Sequence, residues 1–128
     1  MRRLVLVRHS KASHDAVTDL ERPLTPKGTA LAGLLAKELR KRLETTDLLL
    51  VSPAARARET ARPIRDRLEP TISVLAHILH DTDDDLASQI SFGVPTATAV
   101  IIDVPGTWAD LEPKGARIRE IFTARKRD

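Results

Sequence analysis

Short apolar runs alternate along this chain with longer stretches of helical periodicity. Leu4-Val5-Leu6-Val7, bounded by charge on both sides, reads as a short strand buried on both faces. Leu48-Leu49-Leu50-Val51, introduced by Asp47, reads as a second buried strand; Ile72 to Leu75 is a third and Thr98 to Asp103 a fourth. After the first strand and a polar loop from Ser13 to Glu21, Leu31, Leu34, Leu35, Leu39 and Leu43 recur at helical spacing. They make one apolar stripe that is expected to pack on the sheet. Thr25 as cap and Pro26 at the first helical position start this helix. Ser52 and Pro53 repeat the pattern at the end of the second strand, and Pro63 is expected to kink or end that second helix early. A short helix is predicted through Leu86 and Ile90. Arg117 to Thr123 fits two elements: Ile118, Ile121 and Phe122 suit a helix, while the β-branched content and the preceding Lys114-Gly115 turn suit an antiparallel edge strand.

Length and composition narrow the picture. The 128 residues are 41% hydrophobic and 30% charged, the proportions of one globular domain over residues 1–128. With no cysteine, disulfides, thiolate zinc sites and cysteine nucleophiles are removed together. The basic start Met1-Arg2-Arg3 precedes an apolar run too short for a signal-peptide core, and no stretch is long enough to span a membrane. A cytoplasmic protein is the expectation. The net charge of +3 suits an anionic ligand. Two Phe, one Trp and no Tyr leave no base-stacking platform, which argues against nucleic acid.

The candidate chemistry starts where the first strand ends, at Arg8-His9-Ser10-Lys11. A histidine fixed there can offer a ring nitrogen as nucleophile if a partner holds the other nitrogen. Arg8 beside it offers a planar fork of donors that matches phosphate. The bland alternative is a histidine at a strand end with an arginine on the surface. Two further arginines favour the chemical reading. Arg22 stands just before the first long helix, able to turn back toward the strand end, and Arg56 lies in the first turn of the second helix, where free amides already favour an anion. Arg58, Arg62, Arg65 and Arg67 read instead as a solvated face. Asp81 to Asp85 fails the calcium-loop rule, with Leu86 where glycine is needed and Phe92 in place of the closing glutamate. His77 and His80 lack the spacing and partners of a metal pair, so no metal and no cofactor are expected.

Arg8-His9-Ser10, Arg22-Pro23-Leu24-Thr25 and Ser52-Pro53-x-x-Arg56-Ala57-x-x-Thr60 stand in order, each at the end of an element. Together they resemble the histidine phosphatase superfamily, nearest its small SixA-type phosphohistidine phosphatase branch. The similarity continues through His80-Asp81 and Asp84-Asp85-Leu86, and from Pro95-Thr96-Ala97 to the end. The resemblance implies a phosphoglycerate mutase-like α/β fold: three layers (α/β/α), a mostly parallel central sheet, helices on both faces. It implies that His9 takes the phosphoryl group, that Arg8, Arg22 and Arg56 hold its oxygens, that Asp81 is the nearest candidate to protonate the leaving group, and that no metal is needed.

One departure stands out. The family carries a second pocket histidine at the end of another central strand, and this chain has no histidine after His80. Forcing Asp103-Val104-Pro105-Gly106 onto that motif would put an anion where phosphate binds. The tail from Pro95 instead resembles the closing hairpin of the family, which places the loss of a strand, the second histidine and the next helix between Ile90 and Val94. Two readings follow. One is a phosphatase acting on phosphohistidine proteins or small phosphomonoesters, with His80 or a neighbouring subunit substituting for the lost histidine. The other is a catalytically impaired relative that keeps an anion pocket as a binding or regulatory module. A sheet edge bared by the loss would leave room for a homodimer.

Overall fold

In a computed structural model, the structure describes residues 2–75, 95–110 and 115–125. Among these residues, five strands and two α-helices follow one another as β1 (Arg2–Val7), α1 (Pro26–Arg42), β2 (Leu48–Val51), α2 (Ala55–Leu68), β3 (Ile72–Leu75), β4 (Thr98–Val104) and β5 (Arg117–Thr123). The apolar runs therefore became strands close to their expected bounds. The ambiguous segment at 117–123 is a strand, laddered to β4 alone among the described residues.

Helix α1 starts as its sequence dictates. Thr25 is extended, and its hydroxyl accepts the Gly28 amide N–H at 2.9 Å, with Pro26 in the first turn. Arg40, Lys41 and Arg42 close the helix where cations suit its dipole. Arg42 also reaches sideways. It bonds Glu120 on β5 at 2.7 Å and Glu38 at 2.8 Å, and lies 4.0 Å from the ring centre of Phe122.

Helix α2 departs from expectation at two places. Its N-cap is Ala54, without a side-chain bond, and Ser52 is not the cap. The Ser52 hydroxyl instead accepts the Ala54 amide in a turn that precedes the helix. Pro63 lies inside the helix, which runs on to Leu68. Losing one backbone bond is tolerated because the next residue, Ile64, is buried in the core and anchors that turn.

The sheet is the main correction. Among the described residues, β1 pairs antiparallel with β4 and β4 antiparallel with β5; only β2 and β3 are parallel, and they form a separate two-stranded sheet. A mostly parallel sheet with helices on both faces is thus not what the described residues form. Both helices feed one core, where Leu35, Ala36 and Leu39 of α1 and Ile64 of α2 meet Ala97, Ala99 and Ala124. The physical reason is the ladder itself. β2 and β3 are parallel because α2 carries the chain back between them, whereas among the described residues β1 meets only β4, which arrives from the other direction. With no described strand joining β1 to β2, neither is buried on both faces: Leu6 and Val7 are 36% exposed, Leu48 50% and Leu50 52%.

Candidate active site

The peptide that leaves β1 is pinned on three sides. The Arg8 amide donates to the Thr98 carbonyl at 3.0 Å, and the His9 carbonyl accepts from the Ala97 amide at 3.1 Å, so β4 holds it from below. Ala97 adopts a left-handed backbone (φ 55°) to make that contact, an uncommon conformation for a residue with a Cβ. Ser10 is completely buried. Its amide donates to Thr60 Oγ1 on α2 at 2.9 Å, and its hydroxyl donates to the Gly28 carbonyl on α1 at 2.7 Å. The next residue, Lys11, offers its carbonyl to the Thr25 amide at 2.9 Å. The α1 N-terminus and this loop lie so close that a Cβ at Gly28 would overlap the Lys11 carbonyl. Glycine is required there by space.

This frame fixes His9. Its Nδ1 lies 2.7 Å from the Ser10 carbonyl oxygen. A carbonyl only accepts, so Nδ1 bears the proton and Nε2 keeps its lone pair. Burial lowers the imidazole pKa below its ordinary value; the Ser10 bond opposes that in part, and the charges of Arg56, Arg8 and Arg22 lower it further. A neutral ring with one nitrogen held and the other available is the form a nucleophile needs.

The arginines expected at the site converge. All three act on His9 through their charge. Arg22 Nε donates to the Ser13 carbonyl at 2.8 Å, and its Nη1 meets Asp19 Oδ1 at 3.0 Å. Arg56, in the first turn of α2, reaches Asp19 from the other side: Nη2 to Oδ2 at 3.2 Å, Nη1 to the Asp19 carbonyl at 2.9 Å. Pairing with both guanidinium groups, Arg22 foremost, holds the Asp19 carboxyl below the usual carboxylate range. Asp19 was not singled out from the sequence. Its spacing of three before Arg22 is the one signal that marks it.

Asp81 and His80 lie outside the described residues. Asp103 sits at the far end of β4, opposite Arg3, and pairs with Arg3 at 3.3 Å and Arg119 at 3.2 Å. It therefore plays no part near His9, in keeping with the reading of this tail as a hairpin. Arg58, Arg62 and Arg65 are exposed and line a cavity of about 520 Å³ with Leu49, Val51 and Ser73, to which neither His9 nor the three converging arginines contribute. Among the described residues, no helix is long and apolar enough to cross a membrane.

A histidine held at a strand end, under the charge of three arginines that come from three separate segments, defines a class. Residues 4–81 match the family model of the histidine phosphatase superfamily (branch 1), and the chain belongs to that family. An uncharacterized protein of Mycobacterium tuberculosis is 34% identical, with 84% of this chain and 92% of that protein covered. One of Mycobacterium leprae is 30% identical over 88% and 96%. A candidate phosphohistidine phosphatase SixA from Nakamurella multipartitia superposes with a TM-score of 0.68 at 25% identity, covering 96% of each chain. The protein histidine phosphatase SixA complexed with tungstate shares the fold, with a TM-score of 0.66 at 19% identity over 96% of this chain and 97% of that one.

This chain is a shortened member. The M. tuberculosis alignment spans 146 positions, whereas 84% of 128 residues is roughly 108, so about 38 positions of the relative have no counterpart here. The family match itself stops at Asp81, and the chain has no histidine beyond His80.

Proposed function

We propose that the protein is a phosphatase working through a phosphohistidine on His9, with phosphohistidine proteins or small phosphomonoesters as substrates. The observation that carries this reading is the state of His9: neutral, Nδ1–H donated to Ser10, Nε2 left to attack, three arginine charges around it. In the first step Nε2 forms a bond to phosphorus while the bond to the leaving oxygen or nitrogen breaks. Arg8, Arg22 and Arg56 take up the charge on the phosphoryl oxygens. A proton goes to the leaving group, from Asp81 in this proposal; an imidazole leaving group needs little help. Water then attacks phosphorus and gives a proton to the Asp81 carboxylate, the P–N bond breaks, and phosphate, neutral His9 and protonated Asp81 result. The SixA neighbours, by their descriptions phosphohistidine phosphatases, support the substrate class. A homodimer whose second copy covers the edges of β1 and β2 that no other described strand ladders belongs to the same proposal, with the mass in solution as its test.

The test compares hydrolysis of an aryl phosphate and of a phosphohistidine peptide by the wild type and His9→Ala. Turnover that vanishes in the variant, with phosphate trapped on wild-type His9, is the expected result. A second reading draws on the end of the histidines at His80: without the second pocket histidine, the arginines hold phosphate but do not turn it over. It predicts no hydrolysis in either protein, with phosphate still raising the melting temperature of both.

A further inference from the structure

We propose that Asp19 is a positioning residue of the anion pocket, gripping the Arg22 and Arg56 guanidinium groups so that their remaining donors are aimed at a bound phosphate. The inference rests on the reading of these arginines as phosphate ligands.

Asp19 touches the two arginines in four ways. One carboxylate oxygen takes Arg22 Nη1 at 3.0 Å and the other takes Arg56 Nη2 at 3.2 Å. The Asp19 carbonyl accepts Arg56 Nη1 at 2.9 Å and also the Arg22 backbone N–H at 3.2 Å, which closes the 3-10 turn Asp19–Glu21. Both ends of one residue thus hold the fork of Arg56, and the same turn sets where Arg22 leaves the backbone. Arg22 Nε is occupied by the Ser13 carbonyl. Each guanidinium carries five N–H groups and spends two of them here, so three remain on each, among them both on Arg22 Nη2 and the one on Arg56 Nε.

Three considerations make this grip a matter of function. Two long cationic side chains held near each other and near Arg8 repel, and each has many rotamers to lose. A carboxylate shared between them removes both costs before the ligand arrives, which is what preorganisation means for an anion site. The chain has no histidine after His80, and on the reading that the second pocket histidine is lost, the arginines carry more of a bound phosphate. Asp19 is also well exposed, with 69% of its side chain accessible, so it contributes nothing to the core that would explain four bonds to two arginines.

A competing idea predicts the opposite sign: a carboxylate lying in the phosphate's own place would compete with it, and removing that carboxylate would tighten binding. Calorimetric titration of the full chain with inorganic phosphate separates the two. The expected result is binding weakened about tenfold in Asp19→Ala, with partial recovery in Asp19→Asn, whose amide oxygen still accepts from one arginine. Unchanged or tighter binding in Asp19→Ala, even with a lowered melting temperature, overturns the proposal. If Asp19→Ala does not fold, Asp19→Asn carries the test, with weaker binding expected and an unchanged dissociation constant overturning it. Wild type that binds no phosphate removes the pocket and this role together. Wild type that binds phosphate but never phosphorylates His9 removes the phosphatase and leaves the Asp19 comparison to decide on its own.

Discussion

At the scale of single residues, the site is held by backbone more than by side chains. His9 is oriented by a carbonyl, and that carbonyl belongs to Ser10, whose amide and hydroxyl are each spoken for by a different helix. The consequence is a definite pH dependence. Since burial and the arginine charges lower the His9 pKa, the ring stays neutral down to below pH 6.5, the state the proposed nucleophile needs. The acid limb of kcat/KM is expected below pH 6.5, falling tenfold per unit once pH drops under the lowered value. A pH–rate profile whose acid limb lies above 6.5 contradicts this geometry. Stability carries the same sign: the unfolded chain binds this proton more readily, so the contribution is complete above 6.5 and is lost as pH falls toward the native pKa. His9 and the three arginines were legible in the sequence because each stands at an element boundary in a motif. Asp19 was not, because a carboxylate in a polar loop has no pattern until the fold brings two arginines to it.

At the scale of elements, the start of α1 shows how local and tertiary demands coincide. The Thr25 cap is a purely local signal, and it formed as the sequence implies. Gly28, three residues on, is different. Its amide serves the cap, its carbonyl receives Ser10, and its missing Cβ leaves room for the Lys11 carbonyl. Gly28→Ala gains helix propensity of up to about 1 kcal/mol but forces backbone against backbone, and overpacking of that kind costs about 1–3 kcal/mol. Net destabilisation in a urea titration is expected, together with reduced activity from a displaced His9 loop. A Gly28→Ala protein as stable and as active as wild type would mean that α1 does not press on this loop. Ser52 and Pro63 mark the limit of local signals. Both residue types announce helix boundaries, and both were overridden, one by a turn that uses the hydroxyl first and the other by the burial of Ile64.

At the scale of the molecule, about 38 positions of the M. tuberculosis relative have no counterpart here, and among the described residues the strands fall into two sheets. A strand is the one element whose removal leaves unmatched edges on both neighbours. In the described residues those edges belong to β1 and β2, and the exposed Leu6, Val7, Leu48 and Leu50 stand along them. Isolated edges with exposed apolar side chains favour association. Sedimentation is accordingly expected to give a species of twice 14.1 kDa, and Leu48→Lys with Leu50→Lys is expected to shift it toward the monomer. A wild type that sediments as a monomer at all concentrations would remove the dimer from the proposal.

The sequence by itself determined the first four strands and the two long helices, because apolar periodicity and caps act within a few residues, whereas it left 117–123 open between strand and helix. It also determined the family and the residues around His9, because three short motifs in order survive the loss of a strand elsewhere. Only the tertiary structure decided the direction in which β1 finds its partner, the division of the sheet in two, and the meeting of Asp19 with Arg22 and Arg56. Those outcomes depend on contacts between residues far apart in the chain, such as Val5 with Ile101 and Asp19 with Arg56, which no local pattern encodes.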